Sequence, residues 1–253
     1  MIFKGKKIVV LGAGRSGRAA ATLALAKGAE VRVFDTNPNA RFDGWPKSAI
    51  GVAGATDAQG LETSCDLLVV SPGIDTFGSF VKCFAKNAGE LIGETELAAR
   101  FYDGKVVGIT GTNGKTTTTE LVQRILEHSG LSCIACGNYG VPFSEVLMMD
   151  TVPDTVALEL SSFQLETVKD FHADVAIWLN FSADHMDRYT ALEDYFEAKK
   201  NIFINQDSND TAVVRLGENL GALSATRFTF STEGESSDYY LVENQIYLSG
   251  QPV

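Results

Sequence analysis

The chain has 253 residues, 45% of them hydrophobic and 21% charged, which fits one large or two medium folded domains and excludes a disordered, collagen-like or coiled-coil chain. A net charge of −11 excludes a broad basic surface for a nucleic-acid backbone, so an anionic ligand has to be held locally, by backbone amides or a few placed cations. No apolar run approaches the ~18 residues needed to cross a bilayer, and the N-terminus leads straight into a strand pattern, so a cytoplasmic protein without a membrane partner is expected.

Taken in chain order, short β-rich runs alternate with helical stretches. Ile8 to Leu11 reads as a strand, followed by a helix through about Lys27, strands at Val31 to Phe34 and Leu67 to Val70, and a helix near Glu94 to Phe101. Then come a strand at Val106 to Ile109, a helix from Thr116 to His128 with Leu121, Val122, Ile125 and Leu126 on one stripe, and a strand starting at Leu131. Strands at Val156 to Leu160 and Val175 to Leu179 precede a helix from Ala191 to Ile204, and Thr211 to Arg215, Arg227 to Phe230 and Tyr239 to Leu248 complete the pattern. This rhythm predicts right-handed βαβ units around parallel sheets, and so an α/β fold. The polar, Gly-containing step Tyr102-Asp103-Gly104-Lys105 separates two complete strand–glycine loop–helix beginnings, which places a domain boundary between 1–103 and 104–253.

Cysteines at 65, 83, 133 and 136 are too few for a disulfide framework. Cys133-Ile-Ala-Cys136 matches C-x-x-C, but residues three apart on a strand face opposite ways and no second pair completes a zinc site, so buried free cysteines are expected.

Gly12-Ala-Gly14-Arg-Ser-Gly17 follows a strand and opens a helix, and Asp35 ends the next strand. Such glycines let backbone approach a diphosphate at a helix N-terminus while the acid takes a ribose or base edge; on this motif alone the ligand would be NAD. Ser71-Pro72-Gly73 is a second turn of the same kind, or a plain strand ending. Thr110-Gly111-Thr112-Asn113-Gly114-Lys115-Thr116-Thr117 lies between strand and helix, as a phosphate loop requires, although Ile109 stands where its first glycine belongs. Its amides would wrap ATP phosphates, Lys115 would neutralise them, and Thr116 with Glu159 would hold Mg²⁺. Phe181 to Tyr189 packs His185 among charged residues after the Val175 strand, where open α/β sheets gather ligands; His128 and His172 have no such context and read as surface residues. Lys199 falls in the centre of the stripe of Leu192, Tyr195, Phe196, Ile202 and Phe203, so it either snorkels or has a function.

Together these residues resemble the Mur ligases, the ATP-dependent amide ligases of peptidoglycan precursor synthesis, cell-wall enzymes on which cell shape and division depend. The resemblance rests on Gly111-Thr-Asn-Gly-Lys-Thr116, Cys136-Gly-Asn-Tyr-Gly140, Leu158-Glu-Leu-Ser-Ser-Phe-Gln-Leu-Glu166 and Asp184-His-Met-Asp-Arg-Tyr189, and is strongest to members that add D-glutamate. It implies a Rossmann-like first domain holding UDP rather than NAD, through Arg15, Ser16, Asp35, Thr36, Ser71 and Gly73, with Asn138 and Gln164 facing the substrate. It implies an ATP site at Gly111, Thr112, Asn113, Gly114, Lys115, Thr116 and Thr117, one Mg²⁺ on Thr116 and Glu159, and a second served by His185 and a carbamylated Lys199. The substrates would be UDP-N-acetylmuramoyl-L-alanine and D-glutamate, with Lys115, His185 and Lys199 catalytic. Such ligases are longer, with the rest of the ATPase domain and a third, amino-acid-binding domain, so this chain alone is expected not to form the amide. An NAD-linked oxidoreductase and a non-catalytic nucleotide-binding module are the competing readings.

Overall fold

A computed structural model describes residues 2–186, 188–233 and 237–252; Asp187, in the His185 loop, lies outside the described residues. The chain begins with β1 (Lys7–Leu11), α1 (Arg15–Ala26), β2 (Glu30–Asp35), β3 (Ile50–Ala53), α2 (Asp57–Glu62), β4 (Cys65–Val70), α3 (Ser79–Ala85), β5 (Ala88–Gly93) and α4 (Glu94–Ala99). It continues through β6 (Lys105–Thr110), α5 (Lys115–His128), β7 (Cys133–Gly137), α6 (Phe143–Val146), β8 (Thr155–Glu159), α7 (Ser162–Leu165), β9 (Val175–Trp178) and α8 (Leu192–Lys200). The last strands are β10 (Thr211–Arg215), β11 (Thr226–Ser231), β12 (Tyr239–Val242), β13 (Gln245–Leu248) and β14 (Gln251–Pro252).

Two compact units result, dividing after Tyr102, but the first also takes in 140–152 and 166–170, which the sequence reading had kept with the second domain. Buried acids explain the difference. Glu94, 1% exposed, accepts the Ser144 N–H at 2.6 Å, and Glu96, fully buried, accepts the amides of Lys169 and Asp170 at 2.8 and 3.0 Å. Burial pushes the Glu94 carboxyl above the usual carboxylate range. Each acid answers a backbone donor that would otherwise be stranded, a pairing no local pattern announces.

The first unit is built on a five-stranded parallel sheet in the order β3-β2-β1-β4-β5. Ile8 and Val10 of β1 join the core on one face while Val9 and Leu11 join that on the other. Helices on both faces are why this strand is apolar without a break. Strands β3 and β5 escape a pattern search because they are glycine-containing edges with few buried apolar residues, β3 having only four residues.

The second unit's sheet runs β14-β13-β12-β11-β10-β9-β6-β8-β7, parallel from β7 to β12. Three expectations change here. Tyr239 to Leu248 is an antiparallel hairpin rather than one strand, since Glu243 and Asn244 sit at φ of 46° and 66° and reverse the chain. On α5, Val122 and Leu126 pack inward, whereas Leu121 and Ile125 are more than half exposed. The helix from Ala191 shortens to Leu192–Lys200 and tightens into a 3₁₀ turn at Asn201–Phe203, with Trp178 packed against Phe196 and Phe203. All four cysteines are free; Cys65, Cys133 and Cys136 are buried, and burial raises the Cys65 thiol to about 11.

Candidate functional site

In the first sheet the order reverses at β1 and β4, so the turns leaving these two strands flank the crevice where open α/β sheets bind ligands. Gly12 takes φ of +99°, and a Cβ there would come within 2.9 Å of Ser71 Oγ. A Cβ on Gly17 would collide with the Gly12 carbonyl, so the turn needs both glycines. Asp35 is occupied with this turn: one carboxylate oxygen accepts Ala13 N–H at 2.6 Å and the other Asn37 N–H at 2.8 Å. The Arg15 guanidinium donates to the Gly140 carbonyl at 2.6 Å and lies 3.5 Å from Glu145. Ser71 is buried, Ser16 half-buried, and Thr36 and Gly73 are exposed.

In the second sheet β6 lies between β8 and β9, and the reversal brings together the turn after β6 and the loop after β9. Gly111 (φ +154°) and Gly114 (φ +84°) bend the first of these, and a Cβ on Gly111 would press to 2.9 Å from Leu179 Cβ. The turn delivers Lys115 to Thr117 as the opening of α5, whose first amides have no acceptor within the helix. Lys115 Nζ folds back to donate to the carbonyls of Gly111 and Thr112 at 2.9 and 3.0 Å. At the end of β8, Glu159 is 2% exposed and accepts from Thr116 Oγ1 and Asn138 Nδ2, each at 2.8 Å.

Lys199 is 1% exposed and donates to the same Gly111 carbonyl at 2.9 Å. Burial, with the Lys115 charge added, drags its ammonium down to about 7. Two lysines thus converge on one carbonyl oxygen. Snorkelling is excluded, because the head group itself is buried. Its ammonium also lies 4.8 Å from the Tyr195 ring, which His185 meets at 6.0 Å between centroids while packing on Phe163 at 5.0 Å. The His185 side chain is 45% exposed, at φ of 52°.

The structure therefore joins Gly111, Thr112, Lys115, Thr116, Asn138, Glu159 and Lys199 in one bonded cluster. The Gln164 side-chain carbonyl accepts from the backbone and hydroxyl of Ser161 at 3.0 Å each. Sequence reasoning passed over Asn180 and Ser182, which bond the phosphate-loop-like turn; Asn180 ends the β9 run, and its side-chain amide was the available signal. His172, exposed, pairs with Asp210 at 2.8 Å, and His128 is exposed at the end of α5.

Two parallel α/β units, one with a glycine turn at its reversal point and one with a lysine-bearing loop facing a buried acid, define a protein of the phosphate-loop α/β class. Residues 6–93 match the family described as Mur ligase MurD-like, N-terminal domain, and residues 109–252 match the Mur ligase middle domain, so the chain belongs to the Mur ligase family. The UDP-N-acetylmuramoylalanine--D-glutamate ligase of Lachnoclostridium phytofermentans is 38% identical over 258 residues, covering 97% of this chain and 57% of that protein. Its counterpart from Alkaliphilus metalliredigens is 35% identical, covering 97% and 56%. The chain thus spans little more than half the length of these relatives. Among solved structures, UDP-N-acetylmuramate:L-alanyl-gamma-D-glutamyl-meso-diaminopimelate ligase from Neisseria meningitides superposes with a TM-score of 0.62 at 18% identity, over 98% of this chain and 85% of that one. MurF ligase from Thermotoga maritima, solved in complex with ADP, gives 0.53 at 18% identity over 100% and 55%. Both likenesses concern the fold alone.

Proposed function

We propose that this chain supplies the UDP-substrate-binding and ATP-binding parts of a cytoplasmic ligase that joins D-glutamate to UDP-N-acetylmuramoyl-L-alanine. The observation that carries the reading is the cluster at the second reversal point, where Lys115 and the buried Glu159, bonded to the exposed Thr116, flank the open end of α5. In that reaction the substrate carboxylate attacks the γ-phosphorus of ATP, ADP leaves, and the D-glutamate amine displaces phosphate from the resulting acyl phosphate.

The chain's own part is positioning and charge compensation. Lys115 trades its two carbonyl acceptors for phosphate oxygens, and the unpaired amides of Lys115, Thr116 and Thr117 at the head of α5 meet the same anion, with Gly111 to Gly114 shaping the loop. Arg15, Ser16, Asp35, Thr36, Ser71 and Gly73 surround the UDP group, Asp35 by holding the Ala13 amide that shapes the turn. Asn138 and Gln164 serve the substrate's acyl end.

The residues also fit Mg²⁺. Glu159 is a buried carboxylate that accepts from the neutral Thr116 hydroxyl and Asn138 amide, and with that hydroxyl it offers the hard oxygen donors such a cation takes. Lys199 as an ammonium does not suit a cation. As a carbamate it does, and with His185 it would hold a second Mg²⁺. Bound there, Mg²⁺ supplies charge neutralisation on the phosphoryl group. Glu159→Gln keeps the shape and removes the charge. We expect it to weaken Mg²⁺-dependent ADP binding roughly tenfold or more while UDP binding stays as it was; an unchanged Mg²⁺ dependence, read by calorimetry, removes Glu159 from the site.

Calorimetric titration of the chain with UDP-N-acetylmuramoyl-L-alanine, UDP and NADH tests the whole reading. The two UDP compounds are expected to bind and NADH is not. Binding of NADH alone would restore the dehydrogenase reading of the first glycine turn, and binding of none would leave that turn structural.

A further inference from the structure

The phosphate-loop-like turn is held by more than its glycines. Where the backbone ladder between β6 and β9 ends, with Leu179 N–H donating to Thr110 O at 3.0 Å and Thr112 N–H to Asn180 O at 3.1 Å, side chains continue it. Asn180 Oδ1 accepts the Asn113 N–H at 2.9 Å, and Asn180 Nδ2 donates to the Asn113 carbonyl at 3.0 Å. A primary amide bonded to both backbone groups of one residue does what a neighbouring strand would do. One step further, Thr112 Oγ1 donates to Ser182 O at 3.1 Å and accepts Ser182 N–H at 3.0 Å. The turn is thereby zipped to the beginning of the loop that carries His185.

We infer that Asn180 is a positioning residue of the nucleotide site: by pairing with both backbone groups of Asn113, it braces the turn against the end of β9 and leaves the opening of α5 to face the phosphates. The inference rests on the ATP-binding reading of the turn and deepens it. It changes the part expected of Asn113, whose amide is spent on Asn180 and not on phosphate. The amides left for the anion include those of Lys115, Thr116 and Thr117 at the head of α5. The brace also has a reason to exist. Asn113 and Gly114 are exposed, and Gly114 adopts a left-handed conformation with only Leu179 near it, so little apolar packing holds this limb in shape. Without the two bonds the loop would have to order itself when the nucleotide arrives, and binding would bear that entropy.

The test compares the intact protein with Asn180→Ala and Asn180→Asp. The aspartate keeps size and the acceptor for Asn113 N–H but cannot donate to the Asn113 carbonyl. Calorimetry with Mg-ADP should show affinity lowered roughly tenfold or more in both variants. Affinity for UDP, which reports on the first unit, should stay within about twofold, and the Asn113 amide should exchange faster with solvent in the alanine variant. KM for ATP should rise more than kcat falls, because the ordered loop, once bound, is the same loop. Should the alanine variant fold poorly, the near-isosteric aspartate decides. Parent-like ADP affinity in the aspartate variant, or an Asn113 amide as protected in Asn180→Ala as in the parent, overturns the inference while leaving the ATP site standing. A parent protein that binds no ADP overturns the ATP-binding reading and the brace with it.

Discussion

Lys115→Ala should abolish phosphorylation of the substrate carboxylate while leaving the UDP compound bound. Its ammonium is held by two carbonyl oxygens of the turn, those of Gly111 and Thr112, at 2.9 and 3.0 Å. Those bonds are made by a cation already at the mouth of the site, so exchanging them for phosphate oxygens requires little rearrangement. Preorganised donors of this kind act on charge that grows in the transition state, and removing one costs roughly 10²–10³ in kcat. Because Lys115, in the proposed role, would also offset the ground-state charge of the nucleotide, the expected loss lies at the upper end of that range or beyond. Trapping the acyl phosphate formed from labelled ATP without D-glutamate measures it directly. Lys115→Arg should not restore the rate, since a broad planar guanidinium spreads its charge and does not reproduce the compact ammonium that Lys115 places at this turn. Near-normal acyl-phosphate formation in Lys115→Ala would end the assignment of this loop.

The second large effect belongs to Lys199. Its amine lies in the protein interior beside another lysine, which is why the proton comes off at about 7 instead of near 10.5. Sign follows from proton counting: between these two values the unfolded chain holds more protons than the folded one, so stability rises with pH across that window and is lowest below pH 7. Replacing the buried cation with an apolar chain, Lys199→Met, should therefore stabilise the unmodified protein most at pH 6, by up to on the order of 4 kcal/mol, and hardly at all near pH 10.5. Thermal unfolding at the two pH values checks it; an equal shift at both would show that the amine is not perturbed. The same low basicity would supply the neutral amine needed to attack CO₂ and form a carbamate, with release of one proton. If Lys199 works in that form, Lys199→Ala should lose most of the ligase activity, and acetate or formate, by supplying a carboxylate in the vacated space, should return part of it. A fully active substitution would refute the role.

Lys199 also shows how far local pattern reading reaches. Its place on the apolar stripe of α8 marked it as inconsistent with its surroundings, and that much is a property of helical periodicity. Whether its head group escapes to water depends on what lies above the stripe, and that turned out to be the Gly111 carbonyl, 88 residues away in the chain. Glu159 was legible for the same reason, as an acid inside an apolar run, yet the hydroxyl and amide that bond it come from α5 and the end of β7. Asn180 offered only the weak signal of a side-chain amide at the end of a strand run. An asparagine closing a strand is ordinary, and only its partner Asn113 gives it significance.

The sequence by itself determined the alternation of strands and helices, the two glycine turns that open α1 and α5, and the apolar faces that make each sheet a core, because these follow from short-range sterics and from periodicities of two and 3.6 residues. Tertiary structure alone decided that 140–152 and 166–170 belong with the first unit, that Tyr239 to Leu248 folds back on itself, and that the loops after β6 and β9 meet. Strand order brings those loops together, and strand order is set by which faces must be buried and which buried donors must find acceptors. Both are sums over residues far apart in the chain, and no window of sequence contains them.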